Sequence, residues 1–126
     1  MEVSELREHC QVKEGVTAEH PFGPEPLVMK VAGKIFAIID ESTEPATISL
    51  KCDPDLVQVL RDAYFAVSPG YHLDKRHWNT IALDGTVPDD NIADWVDDSY
   101  DLVVDKLPKQ VQRRLGWAPA DATDTP

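Results

Sequence analysis

Apolar positions three and four residues apart dominate residues 88–107 and predict the clearest helix of the chain. The stripe that they form consists of Ile92, Trp95, Val96, Ser99, Leu102 and Val103. Most of the aspartates of this segment lie off the stripe and are expected to face solvent, namely Asp90, Asp94, Asp97, Asp98, Asp101 and Asp105. Pro88 suits the first turn, because a helix leaves its first backbone N–H groups unpaired in any case.

A second helix is predicted after Asp53, which suits the N-cap position, with Pro54 at the first helical position. Its apolar residues recur at helical spacing and are expected to form a buried stripe of Leu56, Val59, Leu60, Ala63 and Tyr64. Two shorter helices are predicted near the ends of the chain, over residues 4–13 with Ser4 as the cap, and over residues 108–115 before Gly116.

Strand signals fill the region between the helices. Two β-branched, apolar runs flank Ala32 and Gly33, which predicts a hairpin. "ATISLKC" predicts a third strand, in which Lys51 faces away from the side of Leu50. "VSPGYHL" is extended, and "HWNTIAL" predicts a further strand with Trp78 and Asn79 on opposite faces. The proline-rich residues 17–26 leave room for a short edge strand.

This order of elements, α-β(3)-α-β(2)-α, predicts the α+β fold class. We expect a two-layer arrangement in which an antiparallel sheet has helices on one face, while the other face is open to solvent or to a partner. A single domain is expected over residues 1–117, since 126 residues suffice for one core. Residues 118–126 are predicted to be a disordered, acidic and polar tail.

The composition indicates a cytoplasmic protein with reduced thiols. The chain contains no run of eighteen apolar residues and begins without the apolar core of a signal peptide. Cys10 and Cys52 stand alone and match no zinc-binding spacing. The sequence favours a monomer without determining the oligomeric state.

Charge is distributed unevenly along the chain. The net charge of −11 argues against nucleic-acid binding over the whole surface. Residues 84–105 hold eight aspartates and no basic residue, whereas residues 106–114 hold four basic residues and no acid. Residues 30–81 are nearly balanced, with six basic and seven acidic residues. Any basic surface must therefore be local.

The segment from Lys75 to Asn79 concentrates the side chains that nucleic acids bind. Lys75 and Arg76 suit phosphate, His77 and Asn79 can reach base edges, and an exposed Trp78 indole can stack on an unpaired base. The alternative is a solvated turn in which Trp78 packs in the core, and spacing alone favours that packing.

Other chemistry has weaker support in the sequence. His72, Asp74 and His77 are residue types that bind metals or act as acids and bases, but no fourth ligand and no partnered nucleophile accompanies them. The aspartates of residues 89–105 could bind hard cations, although a solvated helix face explains them as well. No nucleotide, phosphate-loop or protease motif is found, so neither a cofactor nor an enzyme is expected.

Several blocks of the sequence together resemble the MmcQ/YjbR family of small bacterial proteins. In order they are "GVTAEHPFG", "VMKVAGKIFAII", "SLKCDPD", "GYHLDKRHWNTIALDGTVPDD" and "SYDLV". The resemblance runs from about Val3 to Leu115. It implies a two-layer α+β fold similar to type III secretion chaperones and to frataxin. The likeness to frataxin suggests acidic residues that bind iron. In frataxin such residues lie on the first helix and a nearby strand, whereas in this sequence the acidic residues are concentrated on the late helix.

The same resemblance implies a "double-wing" DNA-binding arrangement of β-hairpins. The first wing is then the hairpin with Lys30 and Lys34, the second is the turn from Lys75 to Asn79, and Lys51 lies between them. The nucleic-acid-binding residues expected on this basis are Lys34, Lys51, His72, Lys75, Arg76, His77, Trp78 and Asn79. The alternative is a chaperone-like module that binds a protein partner through an apolar patch or a sheet edge.

Overall fold

The structure is a computed structural model that describes residues 1–70 and 72–118. It contains four helices and six strands. In chain order they are α1 (Val3–Gln11), β1 (Val16–Glu19), β2 (Leu27–Val31), β3 (Lys34–Asp40), β4 (Thr47–Lys51), α2 (Pro54–Ala63), β5 (Val67–Pro69), β6 (Trp78–Ala82), α3 (Asp89–Asp105) and α4 (Lys109–Arg114). The predicted α+β class is confirmed. The predicted tail lies outside the described residues, apart from Ala118.

The six strands form one antiparallel sheet in the order β1-β2-β3-β4-β6-β5. The short strand for which the proline-rich segment left room is β1, and it forms one edge of the sheet. The β2–β3 hairpin turns through Ala32 and Gly33, whose φ angles of 50° and 79° are both left-handed. A two-residue turn of this kind matches the twist of the flanking strands.

One core joins the helical layer to the sheet. Leu6 and Cys10 of α1, Val96 of α3 and Ile48 of β4 are all fully buried in it. The Tyr100 ring of α3 meets the Phe36 ring of β3 edge-to-face, with centroids 5.4 Å apart. Burial alternates along β6 as predicted, with Asn79 and Ile81 buried and their neighbours half-buried. No helix in the described part of the chain is long and apolar enough to cross a membrane.

Helix α2 departs from its predicted burial. Asp53 caps it as expected, because its carboxylate accepts a hydrogen bond from the Asp55 backbone N–H at 2.9 Å. The expected buried stripe is wrong in part, however: Leu60 and Tyr64 are half-buried against the core as expected, but the fully buried residue of this described helix is Val57. Leu56 and Val59 are 48% and 54% exposed. The helix lies over β5 and β6 near the sheet edge, where less surface is available to cover it.

Three further differences concern helices α1 and α3. In α3 the buried face includes Tyr100 and Val104, while Trp95 and Leu102 are only half-buried, so the contact line is rotated from the predicted stripe. Asp97, expected in solvent, pairs with His9 of α1 and with Lys13, which follows that helix. Ser4 lies inside α1, and among the described residues no side chain caps that helix.

Candidate functional site

Three cationic segments meet at one end of the sheet. Because adjacent strands are antiparallel, the β2–β3 turn, the end of β4 and the start of β6 all lie at this end. Lys34 follows the turn, and Lys51 ends β4 directly opposite Trp78 in the register of β6. The fold therefore brings together residues that are far apart in sequence.

A shallow depression at this end, with a volume of about 610 Å³, is lined by three lysines and an indole. We name it the lysine depression and define it by Lys34, Lys51, Trp78 and Lys106. The remaining lining residues are Gly33, Ile35, Val103 and Leu107. No carboxylate is among these described lining residues. Lys106 ends α3, where a cation also complements the negative end of the helix dipole.

Among the described residues, the three lysines lack the short carboxylate contacts that define an ion pair. Over residues 1–70 and 72–118, Lys34, Lys51 and Lys106 take part in no ion pair. Lys30 of the same hairpin differs, because its ammonium lies 3.4 Å from the Glu19 carboxylate. The hairpin therefore offers one unpaired cation, Lys34, rather than the expected two.

Trp78 is neither fully buried nor fully exposed. Its side chain is half-buried and contributes to the wall of the lysine depression. It therefore packs on the end of the sheet while part of its surface stays accessible at the depression.

The turn before Trp78 is organised by Asp74. This carboxylate accepts a hydrogen bond from the Arg76 backbone N–H at 2.9 Å and lies 2.8 Å from Nδ1 of His77. The Arg76 N–H, followed by the His77 ring, holds the pKa of Asp74 below its usual value. The side chains of Lys75 and Arg76 stay exposed beside this turn.

The two histidines that were expected to bind nucleic acid differ in their surroundings. His72 is exposed and has a left-handed φ of 65°. His77 is partly buried through its contact with Asp74. Within the described ranges, no group of three or more His, Cys, Asp or Glu side chains is arranged to hold a metal ion.

Asn79 belongs to the interior rather than to an exposed surface. It is 2% exposed, its oxygen accepts from Nε of Arg61 at 2.8 Å, and its amide donates to the Val57 carbonyl at 3.3 Å. The expectation that Asn79 reaches a base edge is therefore corrected, because both ends of its amide are engaged within the protein.

Arg61 of α2 and Lys106 are the residues of this region that the sequence did not predict. Besides Asn79, the Arg61 guanidinium donates to the carbonyls of Lys75 at 2.7 Å and of Trp78 at 3.1 Å. It thus joins α2 to both ends of the cationic turn. The sequence signal that could have identified Arg61 is its spacing, because it lies four residues after Val57 and so on the inward side of the helix.

Comparisons with known proteins give a consistent picture. The YjbR family model matches residues 12–102. Escherichia coli K12 has a relative named "Uncharacterized protein YjbR", which is 36% identical over 115 residues and is aligned over 91% of this chain and 98% of its own. The Bacillus subtilis "Uncharacterized protein YyaQ" is 27% identical over 113 residues, covering 78% and 94%.

Solved structures show the same likeness. The crystal structure of a DUF419 protein from Deinococcus radiodurans superposes with a TM-score of 0.85 at 38% identity, covering 92% of this chain and 88% of that one. A Pseudomonas syringae protein gives a TM-score of 0.72 at 27% identity, covering 81% and 98%. None of these names states an activity.

Proposed function

Because the chain belongs to the YjbR family, whose matched relatives carry no named activity, we propose a function from its surface. The protein is a binding module without catalysis that takes nucleic acid at the lysine depression, and it prefers unpaired strands. The proposal includes a cytoplasmic location, where such a partner is present.

One observation carries this proposal: three unpaired ammonium groups and a partly exposed indole share a depression with no carboxylate among its described lining residues. The whole chain has a net charge of −11, so such a grouping is not expected from composition. Fields between exposed charges fade over about 8 Å at physiological salt. A phosphate seated in the depression therefore feels these lysines more than charges that lie beyond this distance.

The geometry favours a single strand over a duplex. An indole can stack on any unpaired base, whereas the bases of a duplex are stacked on each other. Asn79 is buried, which removes one of the expected base-reading groups. The long helix α3 carries acids along its exposed side and would be repelled from a major groove. Binding should therefore depend little on base sequence.

Lys75 and Arg76 extend the same surface. Their turn ends at Trp78, and both side chains are exposed without an ion pair in the described part of the chain. A strand that crosses the lysine depression can continue along this turn, which supplies further phosphate contacts. The two hairpin wings that the family resemblance implies thus form one continuous binding surface for the strand, which runs from Lys34 through Lys51 to Arg76.

Fluorescence anisotropy with a labelled oligothymidine at low salt tests the proposal. The Lys34→Ala/Lys51→Ala protein should bind about 5- to 30-fold more weakly, since each exposed ion pair contributes up to ~1 kcal/mol. Lys30→Ala is the matched control, because Glu19 already neutralises that lysine, and it should bind nearly as tightly as the unchanged protein. Equal weakening in both variants, or no binding by the unchanged protein, would overturn the proposal.

A further inference from the structure

A second concave surface lies between α2 and α3, with a volume of about 440 Å³. Its floor is the sheet, through Leu50, Val67 and Ile81. Its walls are Leu56 and Leu60 of α2, with Trp95, Leu102 and Trp117 on the other side; carboxylates line it as well. We name it the acidic groove and define it by these residues together with Asp53, Asp98, Asp101 and Asp105.

The α2 wall is an apolar helix face that this fold leaves uncovered. The sequence pattern predicts burial of Leu56, which lines the groove, and of Val59, which lies on α2 outside the lining, yet about half of each side chain is exposed. Exposed aliphatic groups arranged side by side on an amphipathic helix are typical of a surface that a partner covers. Trp95 and Leu102 add half-buried apolar surface from the opposite wall.

The carboxylates are arranged to meet cations at a regular spacing. Asp98, Asp101 and Asp105 occupy positions i, i+3 and i+7 of α3 and so follow one side of that helix over about 10 Å. Burial, followed by the neighbouring acids Asp101, Asp94 and Asp97, raises the pKa of Asp98. Lys51 is the one cation among the described lining residues, so the groove has an excess of negative charge.

This charge selects among possible occupants. Nucleic acid and anionic membranes are repelled, and so is a second copy of a chain with a net charge of −11. The chain's own residues 119–126 contain Asp121 and Asp124, no cation and no large apolar side chain. A segment with both apolar and basic side chains can pack against the apolar walls and pair with the carboxylates at the same time.

We propose that the acidic groove binds a basic amphipathic helix from a partner protein. Apolar side chains of that helix insert between Leu56 and Trp95, and its Lys or Arg residues pair with Asp98, Asp101 and Asp105. This is the helix-in-groove mode of recognition, with charges on α3 setting the orientation. The inference does not require nucleic-acid binding, because its apolar walls and carboxylates belong to the groove alone, although Lys51 lines both surfaces.

Binding is measured by anisotropy with a labelled peptide of about 15 residues, built from Leu at helical spacing and Lys elsewhere. Asp98→Asn/Asp105→Asn should weaken binding about three- to tenfold, because exposed ion pairs contribute modestly. Leu56→Gln should weaken it by a similar factor. Asp62→Asn/Asp90→Asn and Phe22→Gln alter exposed residues outside the groove, and both should bind as the unchanged protein does.

Tryptophan emission reports where the peptide sits. Trp95 and Trp117 line the acidic groove, whereas Trp78 lines the lysine depression. In Trp78→Phe protein the peptide should still shift the emission.

Four outcomes overturn the inference: no binding of the Lys peptide, equal binding of a peptide with Glu in place of Lys, equal weakening by the control variants, or no emission change in Trp78→Phe protein.

Discussion

Arg61 is the residue whose removal should most clearly separate the cationic turn from the rest of the fold. Its guanidinium bridges the Asn79 side chain and the carbonyls of Lys75 and Trp78 at 2.7–3.1 Å. Arg61→Met keeps the apolar stem of the side chain and deletes these three hydrogen bonds. The change also leaves the buried Asn79 oxygen without its donor.

The magnitude follows from those contacts. A hydrogen bond from a charged donor is worth about 1.5–3 kcal/mol, but bonds from one group are not additive, and an unpaired buried acceptor costs about 1–3 kcal/mol. We therefore expect Arg61→Met to lower the free energy of unfolding by about 2–4 kcal/mol. Urea denaturation followed by circular dichroism measures this difference.

Arg61→Lys is the matched variant, because it keeps the charge but lacks the planar fork that reaches several acceptors. It should recover less than half of the lost stability. Hydrogen exchange of the Arg76 and His77 amides should accelerate in both variants, since the turn loses its attachment to α2. Full stability in Arg61→Lys would show that charge alone, rather than the bridging geometry, accounts for the role of Arg61.

Three further predictions concern single side chains. Trp78→Ala should destabilise the fold by about 1–3 kcal/mol in urea, less than the 3–5 kcal/mol of a fully buried aromatic residue, because the ring is half-buried; a larger loss would place Trp78 in the core. Folding lowers the pKa of Asp74 below its ordinary value of 3.8. The ionised carboxylate therefore stabilises the folded protein above pH 3.8, and this stabilisation is lost as the pH falls through the lower pKa of the folded state. The destabilisation caused by Asp74→Asn should accordingly be larger at neutral pH than near about pH 2, and a pH-independent difference in urea would refute this. Burial raises the pKa of Cys10 to about 12, so dithionitrobenzoate should modify this buried thiol far more slowly than the half-buried Cys52 until urea unfolds the protein; equal rates in the folded protein would contradict it.

The sheet was predictable from the sequence because its signals are local. Alternation in β6, and left-handed turn residues between β2 and β3, depend only on neighbouring positions. The cap of α2 is local too, since Asp53 bonds to a backbone group two residues away. These features hold in the structure for the reasons that predicted them.

The faces of the helices were less predictable, because periodicity locates an apolar stripe without specifying what covers it. In α2 the stripe is partly uncovered, since the helix lies near the β5 edge of the sheet. In α3 the contact line is rotated toward Tyr100, whose hydroxyl donates to the Glu14 carbonyl at 2.6 Å. Such contacts between distant segments are not visible in a helical repeat.

The candidate site likewise combines features that the sequence predicts with features that it does not. Lys34, Lys51 and Trp78 were expected to act together, and the strand register brings them to one place. Lys106 was visible only as the start of a basic run, because its position depends on where α3 ends over the sheet. Arg61 and Asn79 interact across 18 positions of sequence, which no local pattern reveals.

The two surfaces carry opposite charges. The lysine depression is suited to phosphate, whereas the acidic groove is suited to a basic helix, and Lys51 lines both. A ligand in one therefore lies close to the other. The two proposals remain separable, because Lys34 and Lys106 belong only to the depression and Asp98 and Asp105 only to the groove.

The salt dependence of oligothymidine binding tests the central claim most directly. Five phosphate contacts on a single strand, three at the lysine depression and two at Lys75 and Arg76, predict a slope of about −3.5 in log K against log salt, since each contributes about −0.7. Lys34→Ala/Lys51→Ala should reduce the slope to about −2, while Lys30→Ala should leave it near about −3.5. An unchanged slope in the double variant would show that phosphates do not bind at the lysine depression.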